Sequence, residues 1–82
     1  KVEIVRDILK VAIEGGTKTR IVYMTRINFK IFDKYAKILL RRQLLREEVK
    51  NRQIIYKTTK RGKEILRQIE EILESINESG DY

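Results

Sequence analysis

The 82-residue sequence contains no cysteine and no histidine. Without cysteine there is no disulfide framework and no thiolate metal site. Without histidine the commonest general base and the commonest metal ligand are both missing. Serine occurs only as Ser75 and Ser79, both near the C-terminus. Ser-His-Asp and Cys-His catalysis are therefore excluded, and no residue set supports an enzyme. Proline is absent as well, and no low-complexity tract, linker or internal repeat occurs. Nothing approaches the ~20 consecutive apolar residues of a membrane span, and there is no secretory apolar segment. The expectation is a soluble, cytoplasmic module with no membrane partner, no small-molecule substrate, no cofactor and no metal.

What is present is positive charge. Nineteen Lys and Arg against twelve Asp and Glu leave a net charge of +7. The excess is uneven: residues 1–63 carry 18 basic and 6 acidic side chains, and residues 64–82 carry Arg67 and 6 acidic ones. The densest stretch, Lys18 to Arg61, has 14 basic and 3 acidic groups. A uniformly solubilising surface needs no such split. The middle of the chain attracts a polyanion, and nucleic acid is the commonest one. A chain of this length makes one small domain that buries only roughly 60% of its unfolded surface.

Hydrophobic period and caps order the elements. Residues 2–14 place Val5, Ile8, Leu9, Ala12 and Ile13 on one helical face, and Gly15-Gly16 stops that helix. Thr17 caps a short second helix over 18–25, with Ile21, Val22 and Met24 as its buried side. Two turns do not persist alone, so packing must hold it. Asn28 caps a third helix over 29–43, where Phe32, Tyr35, Ala36 and Leu39 form an apolar stripe. Leu44 to Val49 and Gln53 to Thr58 read as two short strands around a Lys50-Asn51-Arg52 turn, Asn51 tolerating positive φ. Thr58 or Thr59 caps a last helix of about 17 residues, and the tail from Ser79 is expected to fray. The fold class is mainly α with a small β-hairpin: a winged helix-turn-helix with a long C-terminal helix. The expected division is 1–62 for the DNA-binding domain, 63–78 for a dimerisation helix and 79–82 for the tail.

Several constellations carry function on this scaffold. Lys30, Lys34, Lys37 and Arg41 recur at i, i+4, i+7 and i+11, opposite the apolar stripe of the third helix. In a helix-turn-helix module this helix enters the major groove. Lysine is a point charge that suits phosphate better than base edges. That leaves Arg26 and Asn28, at the helix start, as base readers and implies weak sequence preference. A solvated charged face is the alternative. Lys18 and Arg20 begin the second helix, which crosses the phosphate backbone in this architecture. Lys50, Asn51 and Arg52 form a basic wing tip suited to the backbone or the minor groove. Lys57, Lys60 and Arg61 are peripheral contacts or partners of Glu64 and its acidic helix.

Ile65, Ile69, Ile72 and Ile76 repeat at spacings of 4, 3 and 4, and Leu66 and Leu73 widen this seam on one side. The seam exceeds what one side of so small a domain covers, so a homodimer through these helices is expected, parallel or antiparallel. Full docking within one chain is the alternative. Two apparent motifs fail. Gly15-Gly16-Thr17-Lys18-Thr19 follows a helix and lacks phosphate-loop spacing. Glu70, Glu71, Glu74 and Glu78 have no histidine beside them and read as a solvated face.

The stretches Ile27-Asn28-Phe29, Tyr35-Ala36-Lys37-Ile38-Leu39-Leu40 and Leu44-Leu45, with the wing exit Tyr56-x-Thr58-Thr59-x-x-Gly62, carry a resemblance over nearly the whole chain. The sequence resembles the archaeal winged-helix family that includes the small, basic nucleoid proteins of thermophilic archaea. The resemblance implies double-stranded DNA binding, with Asn28, Lys30, Lys34 and Lys37 in the groove and Lys50 to Arg52 in the wing. It also implies dimerisation through the C-terminal helix as an antiparallel coiled coil. One departure is Gln43, where the family usually has glycine to end the third helix; a non-glycine left-handed cap there costs about 1 kcal/mol. Thirteen Ile with many Lys and Glu fit a hot habitat. The functional expectation is a dimeric, sequence-tolerant binder of duplex DNA, chromatin-architectural or regulatory and nucleoid-associated. The alternative is an interaction module docking RNA or an acidic protein.

Overall fold

The structure, a computed structural model, describes residues 1–80, with side chains up to Ile76. Its elements run α1 (Val2–Val11), α2 (Lys18–Thr25), α3 (Phe29–Arg41), β1 (Leu45–Lys50), β2 (Gln53–Thr58) and α4 (Lys60–Gly80). This is the expected winged helix-turn-helix order.

Local signals set the starts of the helices. Thr17 Oγ1 accepts from the Arg20 N–H at 3.1 Å, and Asn28 Oδ1 accepts from the Ile31 N–H at 2.7 Å. Both satisfy a helical donor that otherwise has no partner. α1 ends at Val11, earlier than the expected residue 14. The Ala12 carbonyl turns away to accept from Gly15 N–H at 3.0 Å and from Thr58 N–H at 2.9 Å. Gly15 takes φ 86, and Gly16 then exchanges both backbone hydrogen bonds with Tyr56. The glycine pair thus docks on β2 as well as stopping a helix.

α3 ends at Arg41, not at residue 43, and Gln43 closes it with φ 61. Gln43 N–H donates to Leu40 O at 3.0 Å and Leu44 N–H to Leu39 O at 2.9 Å. That pair of bonds is the Schellman closure usually made with glycine. The left-handed cap is therefore formed here by glutamine.

The hairpin is antiparallel, with Leu45 opposite Thr58, Glu47 opposite Tyr56 and Val49 opposite Ile54. Lys50 pairs with Gln53, so it belongs to β1 and the turn is only Asn51-Arg52. Both turn residues have positive φ, 51 and 66. A two-residue hairpin turn needs this because only that twist matches the flanking strands.

The core holds Ile8, Leu9, Ala12, Ile21, Phe32, Ala36, Leu39, Leu45, Tyr56 and Leu66, one stripe from every element. Fully burying a side chain such as Phe32 or Ile8 contributes about 1.5–3 kcal/mol. Met24, expected inside, is exposed instead. It lies on the same side of α2 as Arg20, whereas Ile21 and Thr25 face the core.

The wing exit explains its own sequence. Tyr56 meets the Phe32 ring edge-on at 5.3 Å. Thr58, buried, donates from Oγ1 to Leu9 O at 2.7 Å. Thr59 Oγ1 accepts from Gly62 N–H at 2.9 Å as the cap of α4 and donates to Gln43 O at 2.7 Å. A Cβ on Gly62 would stand 2.1 Å from Leu44 O, so only glycine fits. α4 then runs 21 residues, roughly 31 Å. It is carried through Ser79 and Gly80, two residues expected in the frayed tail, because no proline or cap interrupts propagation. Asp81 and Tyr82 lie outside the described residues.

Candidate nucleic-acid interface

The packing of α3 decides which of its faces is free. Phe32, Ala36 and Leu39 are buried and Tyr35 is half-buried, so the opposite face points outward. Lys30, Lys34, Lys37 and Arg41 are all exposed on it. At 100° per residue these four side chains project within about 60° of one another. Lys34 Nζ lies 5.8 Å from the Tyr35 ring centroid, a cation–π contact that steadies one member of the ridge.

At the start of the ridge, Asn28 is exposed, although its Oδ1 is occupied by the Ile31 cap. Arg26 is exposed beside it and closes α2 at φ 60, its N–H bonded to Val22 O at 2.9 Å. Across the gap between the helices, Lys18 is not free. Its Nζ lies 2.9 Å from Asp33 Oδ1. This hydrogen bond, ahead of the opposing effect of partial burial, raises the Lys18 pKa above its ordinary value. Arg20, two residues further along α2, is exposed. Lys50, Asn51 and Arg52 are exposed at the wing tip.

Two features escaped sequence reasoning. The first is the Lys18–Asp33 pair, which joins residues far apart along the chain. A single acid among the cations of α3 was the available signal. The second is the Val49–Ile54 cross-strand pair, with Val49 80% and Ile54 49% exposed next to the turn. It lies on the same hairpin face as buried Leu45 and Tyr56, extended beyond the body of the domain. Deeper in the hairpin, burial pushes the Tyr56 hydroxyl pKa up, with Glu47 adding to the shift. Glu48 is held below the usual carboxylate range by Arg46, whose Nη2 stands 2.7 Å from it.

The α4 seam divides along its length. Leu66 is buried, Ile65, Ile69 and Leu73 are half-buried, and Ile72 and Ile76 are each 59% exposed. Lys10 of α1 reaches Glu70 at 3.6 Å. Beyond that point the isoleucine row continues with more than half of each side chain exposed. Among the described residues no group of three or more acidic, His or Cys residues is placed to hold a metal. No described helix is long and apolar enough to cross a membrane.

A family model described as winged helix-turn-helix matches residues 1–77. The chain belongs to that family. Among solved structures, this winged helix-turn-helix chain is similar to Sso10a-2, a DNA-binding protein from Sulfolobus solfataricus. The identity is 29%, the TM-score 0.89, and the match covers 99% of this chain and 85% of that one. It also shares its fold with BpsR of Bordetella bronchiseptica, whose DNA binding is regulated by 6-hydroxynicotinic acid. There the identity is 18% and the TM-score 0.77, over 92% of this chain and 58% of that one. The MarR family regulator SPO1453 of Silicibacter pomeroyi matches at 13% identity and TM-score 0.71, over 92% of this chain and 55% of that one. No curated protein matches. The winged helix-turn-helix of this chain is thus a DNA-binding fold whose third helix and wing carry exposed cations.

Proposed function

We propose that the chain binds double-stranded DNA as a homodimer with little sequence preference, in an architectural or regulatory role on the nucleoid. The observation that carries this reading is the exposed row Lys30, Lys34, Lys37 and Arg41 on the helix that this fold offers to the major groove. Lysine-rich contacts neutralise phosphate and read bases weakly, so affinity comes mainly from counterion release. The wing tip, with Lys50, Asn51 and Arg52, adds contacts beside the groove. The likeness to a DNA-binding protein from Sulfolobus supports the same partner.

Dimerisation is supported by α4. Ile72 and Ile76 stand exposed in register with Ile65 and Ile69. Lys60, Arg61 and Lys63 lie at the start of the helix and Glu70, Glu71 and Glu74 further on. In this heptad register nearly all of those charges occupy outward positions, so the isoleucines themselves carry the seam.

A salt titration of binding to random duplex tests the reading. With about six phosphate contacts per protomer, log K falls against log salt with a slope near −5 per protomer. A slope near zero, or preference for single-stranded RNA in a parallel gel shift, would overturn it. Genome-wide occupancy then separates the two roles: broad coverage marks architecture, a few sharp peaks regulation.

A further inference from the structure

This inference rests on the reading just given, with α3 in the major groove. Asp33 is the only acid on α3. It is more than half exposed and flanks the lysine ridge, about 70° from its centre at 100° per residue. A carboxylate brought to duplex DNA is repelled by every phosphate. In the groove, guanine N7 and O6, adenine N7 and thymine O4 are acceptors and repel it too. Only the exocyclic amines donate to it. The adenine amine lies between two acceptors, adenine N7 and thymine O4, whereas the cytosine amine lies at the end of its pair with an acceptor on one side only. A carboxylate in this groove is therefore best satisfied by cytosine N4.

Asp33 is also held in place. Lys18 Nζ contacts its Oδ1 at 2.9 Å from the first turn of α2. That contact fixes the carboxylate between the two helices that engage the duplex and leaves Oδ2 with acceptor capacity. An acid kept on a cationic face and braced by a neighbouring helix weakens binding to most sequences and strengthens it to few.

We propose that Asp33 is a specificity-determining residue that accepts a hydrogen bond from a cytosine amine in the major groove, with Lys18 as the residue that positions it. The protein then tolerates most sequences yet prefers cytosine at one fixed place in each half-site.

The test is selection of bound duplexes from a randomised pool, using the wild-type chain, Asp33→Ala and Lys18→Met. Exposed ion pairs contribute little to folding, so thermal melting should show both variants intact. The wild type is expected to enrich cytosine at one position, and changing that pair to T·A should weaken binding roughly fivefold, the lower end for one base contact. Asp33→Ala should lose the enrichment and bind random duplex as tightly or more tightly. Lys18→Met should blur the enrichment while Asp33 remains. Identical profiles for wild type and Asp33→Ala overturn the proposal. So does equal weakening of Asp33→Ala on all sequences, the signature of a mere brace between α2 and α3. So does a wild type with no base preference. All three results leave duplex binding itself standing. A wild type that binds no duplex removes the parent reading, and this one with it.

Discussion

Gln43 shows how one residue can carry strain at a junction. Its φ of 61 costs a side chain about 1 kcal/mol that glycine does not incur. The position is kept because Leu44 must turn at once into β1 and offer its carbonyl to Thr59 N–H at 3.1 Å. Gln43→Gly should therefore stabilise the fold by up to about 0.6 kcal/mol, net of the freedom glycine adds to the unfolded chain. In a domain of this size that raises the melting midpoint by up to about 5 °C. A lower midpoint would mean that the glutamine side chain makes a contact outweighing its backbone cost. Thr58 is the opposite case. Thr58→Val keeps the shape but removes the donor to Leu9 O in a buried place. The loss should be about 1–3 kcal/mol, read by denaturant titration. A change within error would show that the carbonyl finds another donor.

At the scale of elements, the balance shifts from strain to use. The wing turn has two residues at positive φ, and the second, Arg52, occupies a place that hairpins of this kind give to glycine. Arg52→Gly should raise thermal stability by up to about 1 kcal/mol and weaken DNA binding, since a cation leaves the wing tip. The salt slope should become shallower by about 0.9 if Arg52 contacts one phosphate. Higher stability with unchanged affinity would remove the wing from the interface. The sequence made much of this level legible. The Thr17 and Asn28 caps, the α2 boundaries and the apolar stripe of α3 follow from local chemistry, which needs no knowledge of the fold. The early end of α1 did not, because Ala12 leaves its helix to meet Thr58, a partner 46 positions away. Lys50 was assigned to the turn for a similar reason: hairpin register depends on both strands at once. The Lys18–Asp33 contact was hidden because it spans two helices whose relative placement no local period encodes.

For the whole molecule the decisive question is what covers the outer half of α4. The domain measures 50 × 25 × 20 Å, and α4 with 21 residues outruns the α1 of 10 on which it packs. Ile65 packs against the chain's own core and Ile69 is half-buried, so substitutions there confuse folding with assembly. Ile72 and Ile76, both 59% exposed, separate the two. The double variant Ile72→Asp with Ile76→Asp should fold with a far-ultraviolet spectrum like that of the wild type, yet sediment as a monomer. The consequence for DNA is quantitative. A dimer with about six phosphate contacts per protomer has a salt slope near −11, and a monomer near −5. The variant should thus bind more weakly at physiological salt and lose about half of the slope, while the single-protomer contacts of α3 remain. If it stays dimeric, the isoleucine row is not the interface. If it becomes monomeric with the slope unchanged, only one protomer of the dimer ever touches the duplex.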